Sequence, residues 1–181
     1  MNSCNLSTDD IHKIILNPKF PVFLKDNAHI FFNSDIDTIV YSAGAKEALQ
    51  IFLAQNLLNN NHVHILGNSF MGASVNENFI TPHNKDIFTN SAHSNFDARG
   101  LFKSKKLVFV LGDNILDEKM IRASTNPYPD LQIVRIGFSY PKAPQKDQIA
   151  CEMYKRNDFD VLALNNQDLA SISNFIKEFL I

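Results

Sequence analysis

The sequence predicts an α/β fold built on a parallel sheet, and one stretch carries most of that prediction. Two short β-branched and aromatic runs, Thr38 to Ser42 and His62 to Leu66, are typical of buried strands. Between them, apolar residues recur at the spacing of one helix face: Ala45, Ala48, Leu49, Phe52 and Leu53. A strand, a crossover helix and a second strand of this length favour parallel pairing with a right-handed crossover.

The later part of the chain repeats this scheme. Leu107 to Leu111 is predicted as the third parallel strand, because it is a continuous apolar run of the type buried on both faces. Leu131 to Phe138 is predicted as the fourth strand of the parallel set. Helices are predicted after the turn at Asn114, at Asp147 to Arg156 and at Asp168 to Leu180. The fold class is therefore α/β.

The segment from Phe70 to Lys105 has no sustained period, although it joins two predicted strands. A connection of this length without clear elements is unusual. A short helix is expected between Met71 and Phe79, and a turn of helix around Asp86 to Thr89. Its scattered aromatic residues would leave an apolar patch, which usually marks an interface, so this segment predicts a homodimer.

Composition is that of a single domain without covalent or metal support. The chain has 181 residues with 45% hydrophobic content, enough to bury a full core. Residues 1–17 are expected to form an amino-terminal tail with a short helix, and residues 18–181 one domain. The net charge of −2 argues against nucleic-acid binding, and no apolar run approaches the ~18 residues of a membrane span. Two cysteines without framework spacing favour the cytoplasm.

The candidate ligand site lies beyond the carboxyl ends of the predicted parallel strands. Open α/β sheets bind ligands at this edge. The predicted ligand-binding residues are those that follow the strands: Gly44, Asn68, Ser69, Asp113 and Asn114. A small-ligand binding module at these strand ends is therefore one possible function, with no catalytic residue assigned.

Ser69 raises a second possibility, because it follows a strand within the run Gly67-Asn68-Ser69-Phe70-Met71. This run resembles the G-x-S-x-G nucleophile elbow of α/β-hydrolases. However, Met71 stands where the second glycine belongs, and no histidine follows Asp113 to serve as the base. A small esterase using Ser69 is kept as an alternative function.

Two pairs of residues invite a metal-binding interpretation. His62 and His64 share one face of a predicted strand, and Asp35 and Asp37 are two residues apart before the preceding strand. The histidine pair lacks an evident third ligand, and the aspartates are typical of a solvated turn. No metal site is predicted.

From Phe20 onward, the order and pattern of the elements resemble the carboxyl-terminal domain of the transketolase family. That family includes deoxyxylulose-phosphate synthase and the β subunits of 2-oxo-acid dehydrogenases. The similar pieces are Phe20-Pro21, the strand that begins at Asp37, the run Leu107 to Asn114, the strand Leu131 to Phe138 and the closing helix Asp168 to Leu180. The resemblance implies three α/β/α layers and a five-stranded, mostly parallel sheet, with Ala28 to Phe32 as an antiparallel edge strand.

The same resemblance implies a supporting function. In that family thiamine diphosphate and magnesium are held by the two preceding domains, so no cofactor is expected on this chain. The expectation is a non-catalytic domain or subunit of a transketolase-like transferase, which acts in assembly or partner binding. Its partners would be the thiamine-binding domains or subunit, together with a second copy of the chain.

Overall fold

The chain forms two compact units, Met1–Thr81 and Pro82–Ile181. The computed structural model describes residues 7, 9–10, 13, 29–32, 36–69, 79–91, 96–112, 114–138, 152, 154–156, 158–163 and 170–179. The domain limits proposed from the sequence, residues 1–17 and 18–181, stay a prediction. Among the described residues, no helix is long and apolar enough to cross a membrane.

The amino-terminal unit is built on a strand–helix–strand motif. Its elements are α1 (His29–Phe32), β1 (Thr38–Ala45), α2 (Lys46–Gln55) and β2 (Val63–Asn68). Strands β1 and β2 pair in parallel, with Thr38 opposite Val63 and Tyr41 opposite Leu66. The predicted parallel strand–helix–strand motif is confirmed.

The carboxyl-terminal unit contains a second parallel sheet. Its elements are α3 (Ile87–Ser91), α4 (Ala98–Phe102), β3 (Leu107–Gly112), a 3-10 helix (Ile115–Met120), β4 (Gln132–Phe138), β5 (Val161–Ala163) and α5 (Ala170–Lys177). The strand order is β3-β4-β5, and both pairings are parallel. The predicted third and fourth strands, the helical turn near residue 87 and the closing helix are confirmed.

The finer description of the sheet differs from the prediction. The described strands form one sheet of two strands and one of three, so a five-stranded sheet is not shown. The antiparallel edge strand predicted at Ala28 to Phe32 is wrong, because His29–Phe32 is helical. The carbonyl of Phe31 accepts a hydrogen bond from the Thr38 hydroxyl (3.0 Å), and that of Phe32 accepts one from the Asn60 amide. Side-chain donors thus satisfy carbonyls that a neighbouring strand would otherwise need to pair.

Two short elements were not predicted from the sequence, and two predicted helices lie wholly or mostly outside the described residues. Helix α4 has five residues and β5 has three, lengths too short to show a hydrophobic period. The one available signal for α4 is Asp97, whose side chain caps the helix by accepting from the Gly100 amide at 2.8 Å. The helix predicted between Met71 and Phe79, and most of Asp147 to Arg156, lie outside the described residues.

Helix α2 ends in a Schellman motif that places a leucine in a left-handed conformation. Leu57 has φ 56° and is 88% exposed. The amide of Leu58 donates to the carbonyl of Leu53 at 2.9 Å, and that of Leu57 donates to Ala54 at 3.1 Å. Leu58 and Leu53 are both buried in one cluster with Val63, so the hydrophobic contact that accompanies this motif is present.

Two phenylalanines of the long connection pack in the core of the carboxyl-terminal unit, whereas Phe79 is 40% exposed. Phe88 and Phe102 are buried, with ring centroids 5.3 Å apart and an edge-on arrangement. Phe88 also meets the ring of Tyr128 at 6.2 Å. These phenylalanines therefore do not form the apolar patch from which a homodimer was predicted, since they are part of the core.

Candidate functional site

The strand ends of the amino-terminal unit bring three of the predicted ligand-binding residues together. A Cβ added to Gly67 would lie 3.3 Å from the carbonyl oxygen of Gly44, so the two strand ends approach closely. Asn68 is the last residue of β2, and its amide group donates to the carbonyl of Ala43 at 2.8 Å. Gly44, Asn68 and Ser69 thus occupy one edge of this sheet.

Asn68 has a structural task at this edge. It is 5% exposed, and it exchanges two hydrogen bonds with the backbone of Ile80, each of 2.7 Å. Together with the bond to Ala43, these contacts use its carboxamide oxygen and both of its donor hydrogens. Asn68 therefore holds residue 80 beside the end of β2.

Ser69 donates its hydroxyl proton to Glu47, with an oxygen–oxygen distance of 2.5 Å. Glu47 is buried in the first turn of α2, where the positive end of the helix dipole stabilises a carboxylate. The histidines His62 and His64 lie instead near Asp37, at 3.5 and 3.6 Å, at the beginning of the strands. Neither histidine is positioned to activate Ser69 as an esterase would require.

The carboxyl-terminal unit has its own strand end, where Asn114 caps the 3-10 helix. The Asn114 side chain accepts from the amide of Leu116 at 3.0 Å, and Asp117 accepts from the amide of Asn114 at 3.2 Å. This reciprocal arrangement is a capping box. Asp113, the other residue predicted at this position, lies outside the described residues.

The most distinctive charge pair of this unit, Lys85 and Asp117, was missed by sequence reasoning. The Lys85 ammonium lies 2.8 Å from the Asp117 carboxylate, and the two side chains are only 11% and 12% exposed. Lysine is almost never buried without a partner, so Asp117 provides the compensating charge. No spacing could have revealed the pair, because its members are 32 residues apart.

Asp117 is held directly over the end of β3. A Cβ added to Gly112, the last residue of that strand, would lie 2.3 Å from the Cβ of Asp117. Only glycine leaves room for this approach. The other end of the 3-10 helix is tied to β4, since the Arg135 guanidinium donates to the carbonyls of Glu118 (3.1 Å) and Ile121 (3.3 Å). The ion pair therefore lies at the sheet edge where α/β folds bind ligands.

The histidine and aspartate cluster near the beginning of β1 and β2 is the other group with metal-ligand chemistry. His62 and His64 both approach the same oxygen of Asp37. Within the described ranges, however, no group of three or more His, Cys, Asp or Glu side chains is placed to hold a metal ion.

Comparison with models of known protein families identifies the family of this chain. The family model described as pyrimidine 5′-nucleotidase (UMPH-1) matches residues 1–180. The chain belongs to this family. No curated protein matches it.

A solved structure shares the fold of this pyrimidine 5′-nucleotidase family member. The crystal structure of cytosolic 5′-nucleotidase IIIB bound to cytidine matches with a TM-score of 0.71 and 21% sequence identity. The match covers 96% of this chain and 58% of that one. The chain therefore spans somewhat more than half of the nucleotidase structure.

Membership in the pyrimidine 5′-nucleotidase family overturns the resemblance to the transketolase family. The supporting role in a thiamine-dependent transferase is wrong, and so is the predicted partner, a thiamine-binding subunit. The resemblance depended on the order of strands and helices, which many α/β proteins share and which specifies no chemistry. The expectation about thiamine diphosphate and magnesium had no other basis. Membership in this family does not support the esterase alternative either.

Proposed function

We propose that this chain hydrolyses the phosphate ester of pyrimidine nucleoside 5′-monophosphates, with Lys85 as the cation that binds the phosphate. Family membership indicates the reaction and the substrate class. The buried Lys85–Asp117 pair beyond the end of β3 is the observation that supports this role of Lys85. A nucleotidase found in the cytosol shares the fold, which supports a cytoplasmic location for this chain.

The reaction requires positive charge where negative charge accumulates. Water attacks the phosphorus and the bond from phosphorus to O5′ breaks, while O5′ takes a proton, so the products are the nucleoside and inorganic phosphate. Phosphoryl transfer depends mainly on positioning and electrostatic stabilisation of the phosphoryl oxygens. An ammonium group with little exposure to water provides both, because its attraction to a phosphate oxygen is less screened than at the surface.

Asp117 is the counter-charge of Lys85 when no substrate is bound. Without substrate, the carboxylate compensates the buried ammonium and fixes its position. When a phosphate dianion arrives, the flexible lysine stem lets the ammonium contact a phosphate oxygen while it stays close to Asp117. Asn114, the other predicted strand-end residue of this unit that the structure describes, stays a candidate for binding the rest of the nucleotide.

A substrate series tests this function. Release of inorganic phosphate would be measured from CMP, UMP, AMP and cytidine 3′-monophosphate, in buffer with magnesium, which binds substrate phosphates. We expect release from CMP and UMP, and far slower release from the purine and the 3′-phosphate. Equal rates for all four would contradict a pyrimidine 5′-nucleotidase, and release from none would contradict phosphate-ester hydrolysis.

A further inference from the structure

The backbone on the amino-terminal side of Lys85 is held by two side chains that follow it in the chain. The Arg122 guanidinium donates to the carbonyl of His83 at 3.0 Å, and the Asn90 amide group donates to the carbonyl of Asn84 at 2.9 Å. A lysine side chain has four rotatable bonds, so the position of its ammonium depends on how firmly its Cα is anchored. These two contacts supply that anchor.

The residue after the lysine, Asp86, anchors the other side. It is 2% exposed, and its Oδ2 accepts the hydroxyl proton of Thr125 at 2.5 Å. The Arg122 Nε lies 3.7 Å from the same oxygen. The other oxygen, Oδ1, accepts from the first amides of α3, those of Phe88 at 3.0 Å and Thr89 at 3.2 Å.

The segment that carries Lys85 is thus joined to the region after β3 at two points. One connection is the ion pair between Lys85 and Asp117, and the other is the contact of Asp86 with Thr125 and Arg122. The second connection uses neither the lysine nor its partner. It can therefore be removed without touching either group of the ion pair.

We propose that Asp86, Arg122 and Thr125 are positioning residues that fix Lys85 for phosphate binding. This inference rests on the proposed role of Lys85. The network also keeps the Asp86 carboxylate occupied by other donors, so a second carboxylate next to Lys85 in the chain does not compete with phosphate for the ammonium. The network therefore fixes the position of the Lys85 ammonium and adds no charge at the phosphate.

Thr125 is the best position for a test, because substitution by valine or serine separates the effect of losing its hydroxyl from the effect of changing its volume. Thr125→Val removes the hydrogen bond to Asp86 with little change in volume, and leaves a buried carboxylate oxygen short of a donor. Thr125→Ser keeps the hydroxyl and removes only a methyl group. The two variants form a matched pair.

The test observes Lys85 directly, by NMR of the full chain with 13C- and 15N-labelled lysine. The Lys85 side-chain signal is assigned by its absence in Lys85→Arg. We expect Thr125→Val to speed exchange of the Lys85 ammonium protons with water about tenfold, the factor for losing one charge-assisted hydrogen bond. Thr125→Ser should restore the wild-type exchange. The signal of Lys119, whose side chain is 49% exposed, is the internal control and should not change.

An unchanged Lys85 signal in a folded Thr125→Val chain would overturn the network. If that variant does not fold, Arg122→Lys provides the same comparison, because it keeps the charge and loses the guanidinium donor to His83. The measurement needs no substrate, so its outcome is separate from that of the proposed function. A changed Lys85 signal in a chain without nucleotidase activity would contradict the function alone.

Discussion

The ion pair between Lys85 and Asp117 predicts a specific pattern of stability in a double-mutant cycle. Asp117→Asn keeps an acceptor for the Asn114 amide but leaves a buried ammonium without a counter-charge. Breaking a buried pair in this way costs about 3–5 kcal/mol, and side chains that are 11% and 12% exposed justify the lower end, about 3 kcal/mol. Lys85→Met leaves the carboxylate uncompensated and should cost a similar amount.

The double variant Lys85→Met/Asp117→Asn should be more stable than the sum of the single effects predicts. It removes both charges, so no buried ion is left unpaired, and we expect a coupling energy of about 2 kcal/mol. Urea unfolding followed by circular dichroism measures it, since the chain contains no tryptophan. The control is the pair of Arg156 and Asp158, 3.1 Å apart, in which the arginine is 62% and the aspartate 20% exposed. Because the arginine stays in water, its cycle should give below about 1 kcal/mol. Coupling at Lys85–Asp117 no larger than in this control would refute the reasoning.

Three further changes test other parts of the structure. Leu57→Gly should raise the free energy of unfolding by about 1 kcal/mol, because a left-handed conformation is unfavourable for leucine. Thermal unfolding measures this change, and a lower midpoint temperature than that of the wild type would contradict the Schellman motif. Asn68→Ala should destabilise the chain by about 2 kcal/mol and speed hydrogen exchange at the Ile80 amide, which loses its acceptor; unchanged exchange would contradict the contact. Hydrogen bonds from Ser7 lower the pKa of Asp10 below its ordinary value, so the stability that they add is present at neutral pH and is lost as the pH falls through the lowered pKa. In an NMR titration Ser7→Ala should return this pKa toward its ordinary value, and no movement would contradict the hydrogen bonds between Ser7 and Asp10.

Much of the fold was predictable because its longer elements have a clear period. The spacing of the apolar residues around Phe52 and Leu53 fits only a helix. The short apolar run that begins at Leu107 fits a buried strand. The run ending at Phe32 has no such period, and its assignment as a strand failed because the decisive contact comes from Asn60, far along the chain. Local sequence does not encode that contact.

The positions of the candidate site residues were predictable only where a rule about sheets applied. Gly44, Asn68 and Ser69 were placed at one strand edge because the carboxyl ends of parallel strands meet there. Lys85 was not, because it lies in a stretch without periodicity and its partner is 32 residues away. The family was missed for a related reason. Strand patterns carry the architecture, whereas chemistry depends on individual side chains such as Asp117.

The central claim, that Lys85 binds the phosphate of a pyrimidine nucleotide, is tested most directly by the rate of CMP hydrolysis in matched lysine variants. Lys85→Met/Asp117→Asn removes the ammonium without leaving an unpaired buried charge, and Lys119→Met removes an exposed one. We expect kcat to fall at least about 100-fold in the first, the scale of losing one electrostatic contact to a transition state, and to stay at the wild-type value in the second. Wild-type kcat in a folded Lys85→Met/Asp117→Asn chain would contradict the account.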